Sequence, residues 1–323
     1  MKIEYLIKRR KISERIITPL LVPSFSSTIF GLQDKRARKE VSDIYQYLQN
    51  KIKNTLFSLY DIHKKYLTDE VINSPNVLFL DSGSYEYLKY KRAGFKVKWS
   101  KELYNNALDK INRKKNIVQV NYDIFDTINK QIDVASDGFK KNYFKDFIIK
   151  PNKNQYFIDS FDVMSNVDKL SGFNLIGLTE KELGDSLLKK CQNIIKIRSG
   201  LSEEGLEIPI HIFGVIDPLS IILYSLCGAD VFDGLSWIKN GFINNLAIYD
   251  DNYALLNGFF EFNENNSLQI MLINNLSTLS EVQSNIIKFT RTLDWSVLNI
   301  NSGLEEKMKL LLSNSGIDIS VKE

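Results

Sequence analysis

Ile208-Pro209-Ile210-His211-Ile212-Phe213-Gly214 and Gly228-Ala229-Asp230-Val231-Phe232-Asp233, with Pro218–Cys227 between them, decide the fold. Ile208–Phe213 and Asp230–Phe232 are short and rich in Val, Ile and Phe, as strands covered on both faces are. Pro218–Cys227 carries a helical pattern. The unit reads strand, helix, strand, which requires the two strands to run parallel.

The same alternation extends outward. Short apolar runs recur at Ile17–Pro23, Asn76–Leu80, Ile117–Val120, Gln155–Ile158 and Asn174–Leu178. Helical patterns lie between them. Ser42–Lys65 sets Ile44, Leu48, Ile52, Leu56 and Leu59 on one face, and Glu182–Ile197 is a second such stretch. Seven strands before residue 235, with room for an eighth at Asn244–Tyr249, favour closure into a (β/α)8 TIM barrel. Periodicity alone leaves a doubly wound sheet as the rival. From Ser267 the character changes: Gln269–Ile273 fits a strand or a helix start, and Leu279–Phe289 and Leu304–Leu312 fit helices. The expected organisation is an α/β barrel over 1–265 and a helical C-terminal extension over 266–323 packed on it.

At 323 residues the chain exceeds the ~250 that one such barrel needs. A net charge of +3 does not by itself argue for nucleic acid. Local clusters say more: Lys8–Lys11, Lys35–Lys39, Lys89–Trp99 and Phe139–Lys145 are basic, and the last two interleave aromatics, a pattern suited to phosphates and unstacked bases. Solvated helix faces are the plainer account of any one of them. Cys191 and Cys227 form no CxxC pair, so thiols give no zinc site and no disulfide framework. No apolar signal core or membrane-length run is present, which points to the cytoplasm. Nothing suggests a redox or nucleotide cofactor, and there is no ATP-binding phosphate loop. His63 falls on a helix and His211 inside an apolar strand, where a core histidine is expected. No metal is expected, although an all-oxygen magnesium site stays open as a reading.

Reactive groups of parallel α/β folds collect at the carboxyl ends of strands. Asp81, Asp123, Asp159 and Asp233 each follow an apolar run, as do Gly177 and Gly214. Carboxylates gathered at one mouth suit either a metal site or a set of acid, base and nucleophile; helix caps are the alternative for each.

These residues resemble the tRNA-guanine transglycosylase superfamily. Ile17-Thr18-Pro19 with Val22-Pro23 resembles the opening strand of that family, and Asp81-Ser82-Gly83-Ser84-Tyr85 its Asp-Ser-Gly-Gly-Tyr/Phe motif. Gly177-Leu178 with Glu182 resembles its Gly-Leu-x-x-Gly-Glu loop. Phe213-Gly214-Val215 with Pro218, then Gly228–Asp233, resembles its Met-Gly-Val-Gly-x-Pro and Gly-x-Asp-Met-Phe-Asp motifs at the same separation. The likeness runs from about residue 15 to 240.

The resemblance implies base exchange through a covalent glycosyl-enzyme, with Asp233 as nucleophile and Asp81 as general acid/base. It implies that Asp123 accepts from the guanine N1 and amino edge and that the Gly177 amide donates to the base carbonyl, beside Leu178. Tyr85 and Phe213 would sandwich the purine, with Ser82 and Gly214 lining the pocket. Plain core packing is the rival reading of both rings. The chain also departs from the family. The zinc motif has no counterpart, and Gly234-Leu235-Ser236-Trp237-Ile238-Lys239 stands in place of Cys-Val-x-Pro-Thr-Arg. Thr179-Glu180-Lys181 replaces a smaller loop, and Asp159-Ser160 stand where a glutamine is expected.

Loss of the tRNA-handling parts resembles the DNA-modifying paralogues known as DpdA, which exchange guanine in DNA for a 7-deazaguanine. The partners so implied are DNA, a guanine or 7-deazaguanine base, and an ATPase or helicase protein that opens the duplex. Other readings are a zinc-less transglycosylase acting on tRNA, a non-catalytic nucleic-acid-binding partner subunit, and an unrelated barrel hydrolase.

Overall fold

The computed structural model describes residues 2–29, 35–112 and 116–319, and of 35–40 the backbone alone, so the side chains of the Lys35–Lys39 cluster lie outside the described residues. Eight strands form the centre: β1 Leu20–Phe25, β2 Asn54–Ser58, β3 Val77–Asp81, β4 Ile117–Val120, β5 Phe144–Ile149, β6 Leu175–Thr179, β7 Ile210–Phe213 and β8 Val231–Gly234. They close into a parallel barrel in sequence order, with helices around it. The seam is β8, which pairs with β7 through Val231↔His211 and with β1 through Val231↔Leu20 and Asp233↔Val22. Closure leaves no strand edge unpaired, which is why the whole ring can be buried.

Side chains of a strand alternate between faces, and each barrel strand sends one set inward. Leu20, Val22, Leu56, Val77, Phe79, Val118, Val120, Ile148, Leu175, Phe213 and Val231 make one interior cluster. Burying each is worth about 1.5–3 kcal/mol over exposure. Ile12 and Ile16 join this cluster from a small antiparallel hairpin, Lys11–Ser13 with Ile16–Ile17, which plugs the amino-terminal pole. A second and larger core lies between the strands and the helices.

Three stretches differ from the sequence expectation. Asn54–Ser58 is a strand, whereas the pattern over Ser42–Lys65 predicts one helix; the helix here is Lys35–Leu48. A spacing of four satisfies a strand's period of two nearly as well as a helix turn, so Ile52 and Leu56 fit both templates. Gln155–Ile158 is not a strand, and the fifth strand is Phe144–Ile149. Lys145 and Asp146 interrupt its apolar run, and Asp146 is fully buried all the same. The Asn244–Tyr249 region falls in a short hairpin outside the barrel, Gly241–Ile243 with Leu246–Ile248.

The pole opposite the strand carboxyl ends is held by charge. Asp230 accepts from Arg10 Nη1 at 3.0 Å, Arg198 Nη2 at 2.7 Å and the Ile210 amide at 2.9 Å. Arg198 also donates to the carbonyls of Gly228 and Ile208. Burial pulls the Arg198 guanidinium down to about 10, against the pull of Asp230. Lys8 and Arg10 pair with Glu207 at this pole, and Phe139–Tyr143 precede β5 there. Neither basic cluster therefore faces the mouth.

After the last barrel strand the chain is largely helical. Helix Glu264–Thr292 packs on Pro218–Leu226 and on β1. Its fully buried Asn275 accepts from the Phe242 amide and donates to the carbonyls of Trp237 and Asn240. Among the described residues no helix is long and apolar enough to cross a membrane.

Candidate active site

Alternation turns Asp233 to the barrel interior two residues beyond Val231. Its carboxylate takes two hydrogen bonds and one longer charge contact. Ser24 Oγ of β1 lies 2.7 Å from Oδ2, and the Gly214 amide lies 3.1 Å from Oδ1. His211 Nε2 lies 3.4 Å from the same Oδ1. Asp233 is 6% exposed, so it is held in a fixed orientation but reachable from the mouth.

Behind it, His211 Nδ1 lies 2.7 Å from Asp146 Oδ2, and both residues are fully buried. Burial alone would lower the imidazole; Asp146, and then Asp233, outweigh it and raise His211 to about 9. Burial raises the Asp146 carboxyl, while the charged imidazole opposes that. His211 is thus not merely a core histidine. Its ring lies 3.9 Å from that of Phe213, and Phe79 meets it edge-on at 5.5 Å.

Asp81 closes β3 on the other side of the mouth. Its carboxyl is held well above the usual range, first by burial and then by Glu86 and Asp123, with a smaller push from Asp233. Glu86, whose Oε1 accepts from Ser26 at 2.6 Å, is itself pushed up to about 7 by burial and by Asp61. Burial and these neighbouring carboxylates thus favour the protonated form of Asp81. The turn after it needs glycine twice over. Gly83 has φ +80°, and a Cβ there would stand 2.7 Å from Tyr60. Trp99 Nε1 props this turn by donating to the Ser82 carbonyl at 2.9 Å.

Ser82 Oγ donates to Asp123 Oδ1 at 2.7 Å. Lys150, which follows β5 and is 7% exposed, lies 3.7 Å from Asp123 Oδ2 and 2.7 Å from Glu182. Burial would lower this lysine, but Asp123 and Glu182 raise it instead. Asp159, taken from sequence as a mouth carboxylate, is instead the N-cap of helix Ser160–Met164 and accepts from the Phe161 amide. That correction follows from the shifted fifth strand, and Lys150 takes the strand-end place.

Gly177 of β6 lies under the Phe213 ring. A Cβ on it would stand 2.6 Å from Phe213 Cε2 and 3.1 Å from Asp146 Oδ1. Gly177→Ala is expected to cost about 1–3 kcal/mol of stability and to push Phe213 into the mouth. Chemical denaturation would measure that cost, and a variant as stable as the parent would show that the ring yields freely. Leu178 is fully buried in the outer core, so only its backbone faces the mouth. Tyr85 is 48% exposed on helix Ser84–Arg92, with Lys89 Nζ 5.4 Å above its ring.

Asp233, Asp81, Asp123, Ser82, Gly177, Phe213 and Gly214 thus share one mouth. Four contributors escaped the sequence: Ser24, Asp146, Lys150 and His211. The last three carried a signal, a charged or titratable residue inside or at the end of an apolar strand. Ser24 carried none. Large exposed apolar side chains also gather here. Phe125, Tyr156 and Phe157 lie in the loops after β4 and β5, and Phe161 on the short helix Ser160–Met164 that follows, at 44%, 88%, 39% and 75% exposure. Tyr90 and Trp99 of the basic and aromatic stretch are instead buried. Among the described residues no group of His, Cys, Asp or Glu could hold a metal ion. Compared with models of known protein families and with curated proteins, the chain gives no match.

Proposed function

We propose that this protein is a glycosyltransferase of the tRNA-guanine transglycosylase type that exchanges guanine in DNA for a 7-deazaguanine. The observation that carries this reading is the pair of carboxyls in one mouth, Asp233 fixed by two hydrogen bonds and the facing His211, and Asp81 pushed toward its protonated form. Two carboxyls in different states are what a displacement through a covalent intermediate uses.

In the first half, Asp233 attacks the anomeric carbon, and its bond to that carbon forms as the glycosidic C–N bond breaks. The departing base keeps the electron pair and takes the proton of Asp81. Asp123 with Ser82, and the Gly177 amide, orient the base and offset charge on it. In the second half, Asp81 removes a proton from the incoming base, whose nitrogen attacks the same carbon and frees Asp233. No water or cofactor enters the balance. Lys150, which follows β5, supplies a cation to the same pocket.

DNA as the polymer rests on the residues after Asp233, which lack the tRNA-handling pattern, and on the aromatic rim. Tyr85, Phe125, Tyr156, Phe157 and Phe161 offer stacking faces beside lysines to an opened strand, and a base inside a duplex must leave the stack to be reached. Joint replacement of Tyr156 and Phe161 by alanine is expected to weaken single-stranded DNA binding by about tenfold or more. Fluorescence anisotropy at two salt concentrations would read this, and unchanged affinity would remove the rim from the interface.

The reading itself is tested by incubating labelled guanine or 7-deazaguanine with duplex DNA, opened DNA and tRNA. Label entering DNA supports it. Label entering tRNA alone returns the protein to the tRNA-modifying branch. Label entering opened but not closed DNA implies a strand-opening partner. No label in any polymer, with a folded protein, overturns it.

A further inference from the structure

We propose that Asp146 and His211 are a positioning pair that aims the Asp233 carboxylate and keeps a compensating positive charge behind it through both halves of the exchange. The inference rests on Asp233 being the nucleophile. Three inward positions carry it: Asp146 on β5, His211 on β7 and Asp233 on β8. The bond between His211 Nδ1 and Asp146 is tight at 2.7 Å, and Nε2 makes a looser ion-pair contact of 3.4 Å with Asp233. The imidazole thus hangs from Asp146 and leans on the nucleophile. It has no exposed surface and is wedged between Phe213 and Phe79, so it reaches no substrate. Asp146 and Asp233 are the titratable groups that face it.

The chemistry gives this charge two uses. Asp233 gives up its negative charge on forming the glycosyl ester and must regain it on release. An adjacent imidazolium lowers the cost of the carboxylate as attacking group in a buried setting and as leaving group afterward. The proton stays on His211 throughout, because Asp146 holds its other nitrogen. Asp233 Oδ1 accepts from the Gly214 amide and faces His211 Nε2, while Oδ2 meets Ser24 alone, which leaves Oδ2 as the attacking oxygen.

The chain has two histidines, so a titration followed by nitrogen-15 NMR of labelled imidazoles resolves both. His211 is expected to stay doubly protonated past pH 8, with its midpoint falling in Asp146→Asn. His63, lowered by burial and by Lys64, titrates well below it. The sign of the stability effect follows from the raised value. Its contribution is fully present below the ordinary 6.5 and is lost as pH rises through about 9, a slope absent from His211→Gln.

In the exchange assay His211→Gln should lower kcat by about 10–100-fold with little change in KM for the base, and should lose the alkaline limb of the pH profile. Asp146→Asn should act in the same direction, and it keeps the site's shape if His211→Gln does not fold. A His211 that is neutral at pH 7.5, or a His211→Gln protein with the parent kcat and pH profile, overturns the role. A charged His211 in a protein that exchanges no base overturns the nucleophile reading, and the role with it.

Discussion

Asp233→Asn is expected to end base exchange, with kcat lower by at least about 10⁴-fold. A carboxamide cannot form the glycosyl ester, yet its oxygen can still accept from the Gly214 amide while its NH2 donates to Ser24 Oγ, so the protein should fold. The comparison separates chemistry from architecture, since Asp233 has 6% exposure and most of its contacts are internal. Labelled-base incorporation gives the rate. A protein–DNA band surviving denaturation, present in the parent and missing in the variant, gives the intermediate. If the variant keeps a rate within tenfold of the parent, the covalent step lies elsewhere, and Asp81 and Asp123 are the carboxyls to replace next.

Asp230→Ala should give the largest loss of stability, about 3–5 kcal/mol, by leaving the Arg10 and Arg198 guanidiniums buried without their shared anion. Arg198 has no exposed side-chain surface, so water cannot take the place of the carboxylate. The Ile210 amide at the seam of the barrel loses its acceptor as well. Chemical denaturation of parent and variant measures the difference, and an apparent Tm lower by roughly 5–15 °C should accompany it. A loss below about 1 kcal/mol would show that other groups or solvent already serve these arginines. The two aspartates of Gly228–Asp233 thus differ in kind: Asp230 holds the closed pole, and Asp233 faces the open one.

The barrel was legible because most of its strands are short, mainly apolar and separated by helical patterns. Ile117–Val120 and Ile210–Phe213 are buried at every position, the signature of a strand covered on both sides. Legibility failed where one pattern mimicked another. Leu56 faces the interior from a strand, although its spacing from Ile52 also suits a helix. Phe144–Ile149 was hidden by Asp146, a charge that sequence rules place outside. That charge is inside because His211 compensates it, 65 residues further along the chain. No local rule reports such a pairing, so the histidine and the aspartate were hidden by the same omission. Asp81, Asp123 and Asp233 were readable because each follows a strand. Asp159 shows the weakness of that rule, since a misplaced strand end turned a helix cap into a mouth carboxylate.

The bond from Ser24 to Asp233 spans 209 positions and joins the first barrel strand to the last. Its consequence is temporal. A growing chain cannot orient this carboxylate until β8 has emerged and docked on β1, so every shorter nascent form lacks the arrangement on which the proposed exchange depends. The reactive centre therefore reports completion of the ring. It also offers a reporter of folding, since two fragments divided between β4 and β5 would regain function only on reassembling the seam.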